Sequence, residues 1–179
     1  MDVLPCITGE QVCLRPITEA DTDWIVRWRN TPSVMRNFIF REPFTPEMHR
    51  NWLATKVATG QVVQYMIEEK ATGRPVGSVY FRDVDPVNHS AEYGIFIGEE
   101  DARGRGIGTE TARLFTAFGF AHLGLHRISL RLLADNLPAR RSYEKAGFAV
   151  EGTFHDMVLL DGRYRDVVFM AKLAGESTL

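Results

Sequence analysis

Arg103-Gly104-Arg105-Gly106-Ile107-Gly108-Thr109 is the stretch on which the reading of this chain turns. It follows an apolar run and opens a segment in which Ile107, Thr111, Leu114, Phe115, Phe118 and His122 recur at helical spacing. Glycines at 104, 106 and 108 carry no Cβ, so the backbone there can take positive φ and turn successive N–H groups toward one point. A helix start adds partial positive charge, and Arg103 and Arg105 add full charges. The loop therefore reads as a cradle for a phosphate. A Walker P-loop would need Gly-Lys-Ser/Thr, which the chain lacks. A dinucleotide fingerprint would need glycine where Thr109 stands, and the preceding segments are not β-α-β in pattern.

Length and composition bound the answer. The 179 residues suit one domain, 1–179, with no room for a second. The hydrophobic fraction of 45% and charged fraction of 25% are those of a globular protein, and a net charge of −2 gives no basic field for nucleic acid. The start, Met1-Asp2-Val3-Leu4-Pro5, has neither a basic region nor a long apolar core, and no stretch reaches membrane-spanning length. A cytoplasmic protein with no membrane partner is expected. Cys6 and Cys13 make no disulfide framework, and without Cys-x-x-Cys or clustered His they make no metal site.

Taken in order, Gln11–Arg15 alternates as a first strand closed by Pro16. Thr18, Thr31-Pro32 and Thr45-Pro46-Glu47 are start signals for two or three helices carrying Trp24, Ile25, Trp28, Val34, Phe38, Trp52 and Leu53. From Gln61 the period becomes that of a sheet: Val62–Ile67, a turn at Ala71–Arg74, then Val76–Phe81. Ala91–Gly98 is the next strand and runs into the glycine loop. After the loop helix, Gly124 is a stop and Arg127–Leu133 a strand parallel to its predecessor, because a helix intervenes. Asn136 and Pro138 open a short helix ended by Gly147-Phe148. Asp161-Gly162 then turns a final hairpin of Phe154–Leu160 and Tyr164–Leu173.

Three of these stretches, Glu92-Tyr93-Gly94-Ile95-Phe96-Ile97, the loop Arg103–Gly108, and Asn136-Leu137-Pro138-Ala139-Arg140-Arg141-Ser142-Tyr143-Glu144-Lys145-Ala146-Gly147-Phe148, occur in that order. Together they resemble motifs A and B of the GNAT N-acetyltransferase superfamily. Leu14-Arg15-Pro16, Trp28-Arg29-Asn30 and Asp161-Gly162-Arg163-Tyr164-Arg165-Asp166 extend the likeness to the branch of bacterial ribosomal-protein N-terminal and spermidine acetyltransferases. The resemblance implies the GNAT α/β fold: a mixed, mostly antiparallel sheet of about seven strands with one splayed parallel pair, flanked by four to five helices. It also implies acetyl-CoA as cosubstrate, with its pantetheine arm on the backbone of Ile95, Phe96 and Ile97. Its pyrophosphate would lie on the N–H groups of Arg103, Gly104, Arg105, Gly106, Ile107 and Gly108, with Asn136 and Arg140 as further contacts. A homo-oligomer is expected, and no metal.

The implied reaction is direct attack of a primary amine on the thioester. An ammonium must lose a proton, an oxyanion must be held and a thiolate must be protonated. Tyr143 matches the family's acid, backbone N–H near Phe96 or Ile97 could polarise the carbonyl, and Glu92 is the candidate base through water. An ion pair with arginine would explain Glu92 equally well, and a helix cap would explain Asn136. His122, His126 and His155, and the three tryptophans, read as packing or capping groups. The segment between the first strand and Gln61 should wall the acceptor. There Arg36 and Arg41 interrupt Glu42 and Glu47, which counts against a polyamine. A peptide α-amine, an aminoglycoside and an amino-sugar nucleotide stay open, as does a degenerate acyl-CoA-binding sensor.

Overall fold

Alternation and capping are realised as read, within a computed structural model that describes residues 4–39 and 41–175. The reading of Met1, Asp2 and Val3 lies outside the described residues. The strands are β1 (Ile7–Thr8), β2 (Val12–Pro16), β3 (Val63–Glu69), β4 (Pro75–Asp85), β5 (Ser90–Ile97), β6 (Arg127–Leu133), β7 (Ala149–Leu160) and β8 (Arg163–Leu173). The helices are α1 (Thr22–Arg29), α2 (Pro32–Met35), α3 (Pro46–Trp52), α4 (Ile107–His122) and α5 (Leu137–Lys145). The strands form one eight-stranded sheet in the order β1-β2-β3-β4-β5-β6-β8-β7. Among the described residues only β5 and β6 pair in parallel, and α4 is the crossover between them.

Helix starts follow the capping chemistry. The Thr45 hydroxyl accepts from the Met48 amide at 3.2 Å, with Pro46 supplying a fixed φ in the first turn. Thr18 and Asp21 form a capping box ahead of α1.

The period of two divides the sheet between two cores. Tyr65, Phe81, Tyr93 and Leu130 point to the α4 side, where Phe81 stacks on Phe115 with ring centroids 4.3 Å apart. Burying one such phenylalanine contributes roughly 1.5–3 kcal/mol. Met66 and Phe96 point the other way, onto Ile25, Trp28 and Val34 of α1 and α2.

Two strands differ from the sequence reading. β1 is a two-residue strand, too short for any periodic signal. β7 starts at Ala149 rather than Phe154, because it is an edge strand with most side chains exposed and with register shifts at Val150/Gly152 and Phe154/Val158, so its apolar residues do not alternate.

The end of β5 is fixed by one close fit. A Cβ on the buried Gly98 would lie 2.1 Å from Cγ of Trp28, whose indole is 1% exposed and donates to the Glu99 carboxylate at 2.8 Å. Gly98→Ala should therefore destabilise the fold by about 1–3 kcal/mol through overpacking, measured by urea or thermal unfolding. Wild-type stability would show that Trp28 does not hold this strand end.

Candidate active site

The sheet breaks in its middle. β5 and β6 pair only at Ser90–Arg127, Ala91–Ile128 and Glu92–Ser129, although β5 runs on to Ile97 and β6 to Leu133. Beyond that point β5 stays paired with β4 as far as Ile97, and β6 with β8 as far as Leu133. Their facing edges therefore part company. Backbone groups left unpaired in a buried place cost about 1–3 kcal/mol each, so such a gap calls for an extended ligand to complete the bonds. A cavity of about 800 Å³ runs through it, lined from the α4 side by the glycine loop and α5 and from the other side by α1 to α3.

The loop presents unpaired backbone donors. Gly104 and Gly106 sit at φ +72° and +86°, which only glycine adopts without strain. None of the six N–H groups from Gly104 to Thr109 meets a protein acceptor among the described residues. Arg103 turns back, donating to the carbonyl oxygens of Ile97 at 3.1 Å and Gly98 at 3.4 Å, and so ties the loop to the end of β5. Arg103, Gly104, Gly106 and Gly108 line the cavity, whereas two predicted contacts do not. Arg105 pairs with Glu69 at 2.6 Å and Ile107 is a core residue at 1% exposure, so each can offer only its backbone.

Residues of α5 form the next wall. The Asn136 carboxamide oxygen accepts from the Ala139 amide at 3.3 Å, so it caps the helix while lining the cavity. Thr109 and Ser142 hydroxyls, 2.8 Å apart, join α4 to α5. Tyr143 lines the cavity, packed edge-on to Tyr93 and Phe148 at 6.0 and 5.9 Å. Burial pushes its phenol well above the ordinary tyrosine value. Arg140 pairs with Glu144 at 2.9 Å and lies outside the lining, where Arg141 stands instead.

On the far face Glu92 meets the sheet's own arginines. Its carboxylate accepts from Arg82 at 2.5 Å, its cross-strand partner, and from Arg131 on β6 at 3.2 Å. Tyr80 lies over Gly94, where a Cβ would come within 2.3 Å of the ring. Arg29 of α1 is stacked on Phe38 and Phe44, at 4.6 and 4.5 Å from their centroids. His49 is 1% exposed; because the Thr22 hydroxyl donates to Glu19, it accepts from His49 Nδ1–H, and the lone pair on Nε2 is left without a partner.

Sequence reasoning missed Arg29, His49, Tyr80, Arg82 and Arg131. Alternation against Val79 and Phe81 could have placed Tyr80 and Arg82 opposite the α4 face, but Arg29 and His49 become visible only once the helices pack. The arginines weighed in the sequence are not the ones at the site: Arg41 bonds Asp161 and the carbonyls of Arg36 and Phe38, and neither it nor Arg36 lines the cavity. Among the described residues no group of three His, Cys, Asp or Glu could hold a metal ion, and no helix is long and apolar enough to cross a membrane.

Comparison with known proteins agrees with this geometry. Residues 11–149 match the acetyltransferase (GNAT) domain model. The chain is 30% identical over 163 residues to spermidine N(1)-acetyltransferase of Escherichia coli (strain K12), which covers 91% of this chain and 86% of the relative. It is 27% identical over 159 residues to the Vibrio cholerae enzyme of that name, covering 89% and 91%. The crystal structure of spermidine N-acetyltransferase from Vibrio cholerae in complex with CoA and spermine superposes with a TM-score of 0.85 at 24% identity, covering 92% and 96%, and so shares the fold. With a split parallel pair, a glycine cradle and these relatives, the chain belongs to the GNAT family and is an acetyl-CoA-dependent N-acetyltransferase.

Proposed function

We propose that the protein acetylates a primary amine that enters from the α1–α3 face, while the cosubstrate enters from the loop side. The observation that carries this is the meeting of the broken β5–β6 ladder and the unpaired N–H groups from Gly104 to Thr109 in one cavity. Acetyl-CoA supplies an acyl thioester already activated toward amines. The backbone of Ile95, Phe96 and Ile97 holds the pantetheine arm, and an N–H near Phe96 or Ile97 polarises the carbonyl. Asn136 and Arg141 flank the cofactor from α5.

Tyr143 is the proton donor to the departing sulfur in this reading. Its raised pKa keeps the phenol protonated across the neutral range, and a desolvated thiolate is a stronger base than the free one, which titrates at about 8.5. Glu92 is the proton acceptor for the incoming ammonium, through water, with Arg82 and Arg131 fixing its carboxylate in place. The two free thiols, Cys6 and Cys13, suit a cytoplasmic setting. Phe154, Leu159 and Tyr164, 53–64% exposed on the terminal hairpin, offer a face for a homo-oligomer.

Acetyl-CoA and CoA should stabilise the fold, by about 2.7 kcal/mol at a hundredfold excess over the dissociation constant, while ATP and NAD should not. An equal thermal shift with ATP would count against the assignment. Gly108 offers a sharper test than Gly106. A Cβ at Gly108 meets only the Ser142 hydroxyl, at an ordinary 3.7 Å, whereas Gly106 has a positive φ that strains alanine. Gly108→Ala should keep or raise stability, alanine being favoured in a helix by up to about 1 kcal/mol, yet weaken CoA binding tenfold or more. Gly106→Ala should lose both stability and affinity. Unchanged CoA affinity in Gly108→Ala would move the pyrophosphate site elsewhere.

Tyr143→Phe should lower kcat by roughly 10²- to 10⁴-fold with little change in CoA affinity. Near wild-type turnover, measured where chemistry limits the rate, would leave water as the proton source.

A further inference from the structure

The acceptor side of the cavity carries an unusual charge balance. Arg29, Arg82 and Arg131 line it with Tyr80, against two carboxylates, Glu92 and Glu42. Glu92 is already held by Arg82 and Arg131. Arg29 is the third cation and has no carboxylate or hydrogen-bond acceptor among the described residues. Its guanidinium instead stacks on the rings of Phe38 and Phe44. Burial pulls Arg29 below the ordinary arginine value, and Tyr80 and Arg82 line the same cavity. Arg82, by contrast, is already matched by carboxylates, Glu92 at 2.5 Å and Asp83 at 3.8 Å.

We infer that the acceptor amine also bears an oxyanion, a carboxylate or a phosphate, which docks on the guanidinium of Arg29 while the ammonium faces Glu92. The inference rests on the acetyltransferase reading and names its substrate class. Unused guanidinium donors in the cavity favour an oxyanion, because charge-assisted bonds to a planar fork satisfy groups that are otherwise costly to bury. A polyamine would bring two or three ammonium groups to a wall of arginines with one carboxylate already engaged, and like charges repel strongly where water is excluded. Three guanidiniums against Glu92 and Glu42 leave a positive excess that complements an ammonium with a nearby oxyanion, which is the pattern of an amino acid or an amino-sugar phosphate.

The test uses matched pairs that differ only in the anion: L-leucine against L-leucinamide, glucosamine 6-phosphate against glucosamine, and spermidine as the polycation. CoA release with acetyl-CoA gives kcat/KM, and thermal shift of the CoA complex gives binding without turnover. At least one anionic amine should exceed its neutral counterpart tenfold or more in both measurements, and which pair responds tells carboxylate from phosphate. Arg29→Gln should remove that preference, Arg29→Lys should restore part of it, and the acetyl-CoA dissociation constant should stay put. Anionic amines that bind no better than their neutral counterparts, or a preference for spermidine, overturn the inference. The wild-type binding comparison decides this even if the Arg29 variants fold poorly. Failure of every amine to release CoA, with CoA still bound, overturns the acetyltransferase reading instead and leaves the binding arm to judge the anion site.

Discussion

Everything at this site depends on the ladder between β5 and β6 stopping at Glu92 and Ser129. A parallel pair in the middle of a sheet normally gains a bond at each step, so opening it forfeits several contributions of about 0.5–1.5 kcal/mol each. The outer pairings absorb that loss. β5 remains paired with β4 from Glu92 to Ile97 and β6 with β8 from Arg127 to Leu133, so each diverging strand keeps a neighbour. The edge exposed in the gap is a rigid row of donors and acceptors. Rigidity matters because a ligand that completes such a row meets groups already ordered, and the ordering entropy has been met by folding.

The glycine loop and the gap are joined mechanically. Arg103 bonds the carbonyls at the end of β5, and Trp28 packs into the space left by Gly98 while its indole holds Glu99. Arg27 pairs with that same Glu99. The end of β5, the glycine loop and helix α1 thus meet within a few residues. Movement of α1 would be felt at the end of β5 and at the loop.

Charge on the two sides of the sheet follows different rules. On the loop side the positive field comes from backbone dipoles together with Arg103 and Arg141, since Arg105 is paired with Glu69. On the acceptor side it comes from whole guanidinium groups against Glu92 and Glu42. Like charges about 5 Å apart interact by about 3 kcal/mol at an effective dielectric of 20, so a cluster of this kind acts on any charged group that enters the cavity. Relatives of similar fold can therefore differ in acceptor while sharing the cosubstrate, because cradle and acceptor wall are made by separate parts of the chain.

The sequence by itself determined what is local. Glycine spacing at 104, 106 and 108, the capping residues Thr18, Thr45 and Asn136, and the Asp161-Gly162 turn act over a few residues, so the helices, most strands and the cradle were legible. Period-two alternation also placed Glu92 on a strand leading to the loop. The order of strands, the point at which β5 leaves β6, and the company Glu92 keeps were decided by tertiary structure. Arg82 lies ten residues from Glu92 and Arg131 thirty-nine, and Arg29 reaches the same cavity from a helix more than sixty residues away. Nothing in a one-dimensional pattern fixes which of twenty-one lysines and arginines face one another, because that depends on sheet register and on how α1 to α3 pack across it. For the same reason the sequence pointed to Arg36, Arg41 and Arg140, whereas the fold turned them to Asp161, backbone carbonyls, Glu144 or solvent and brought Arg29, Arg82, Arg131 and Arg141 to the cavity.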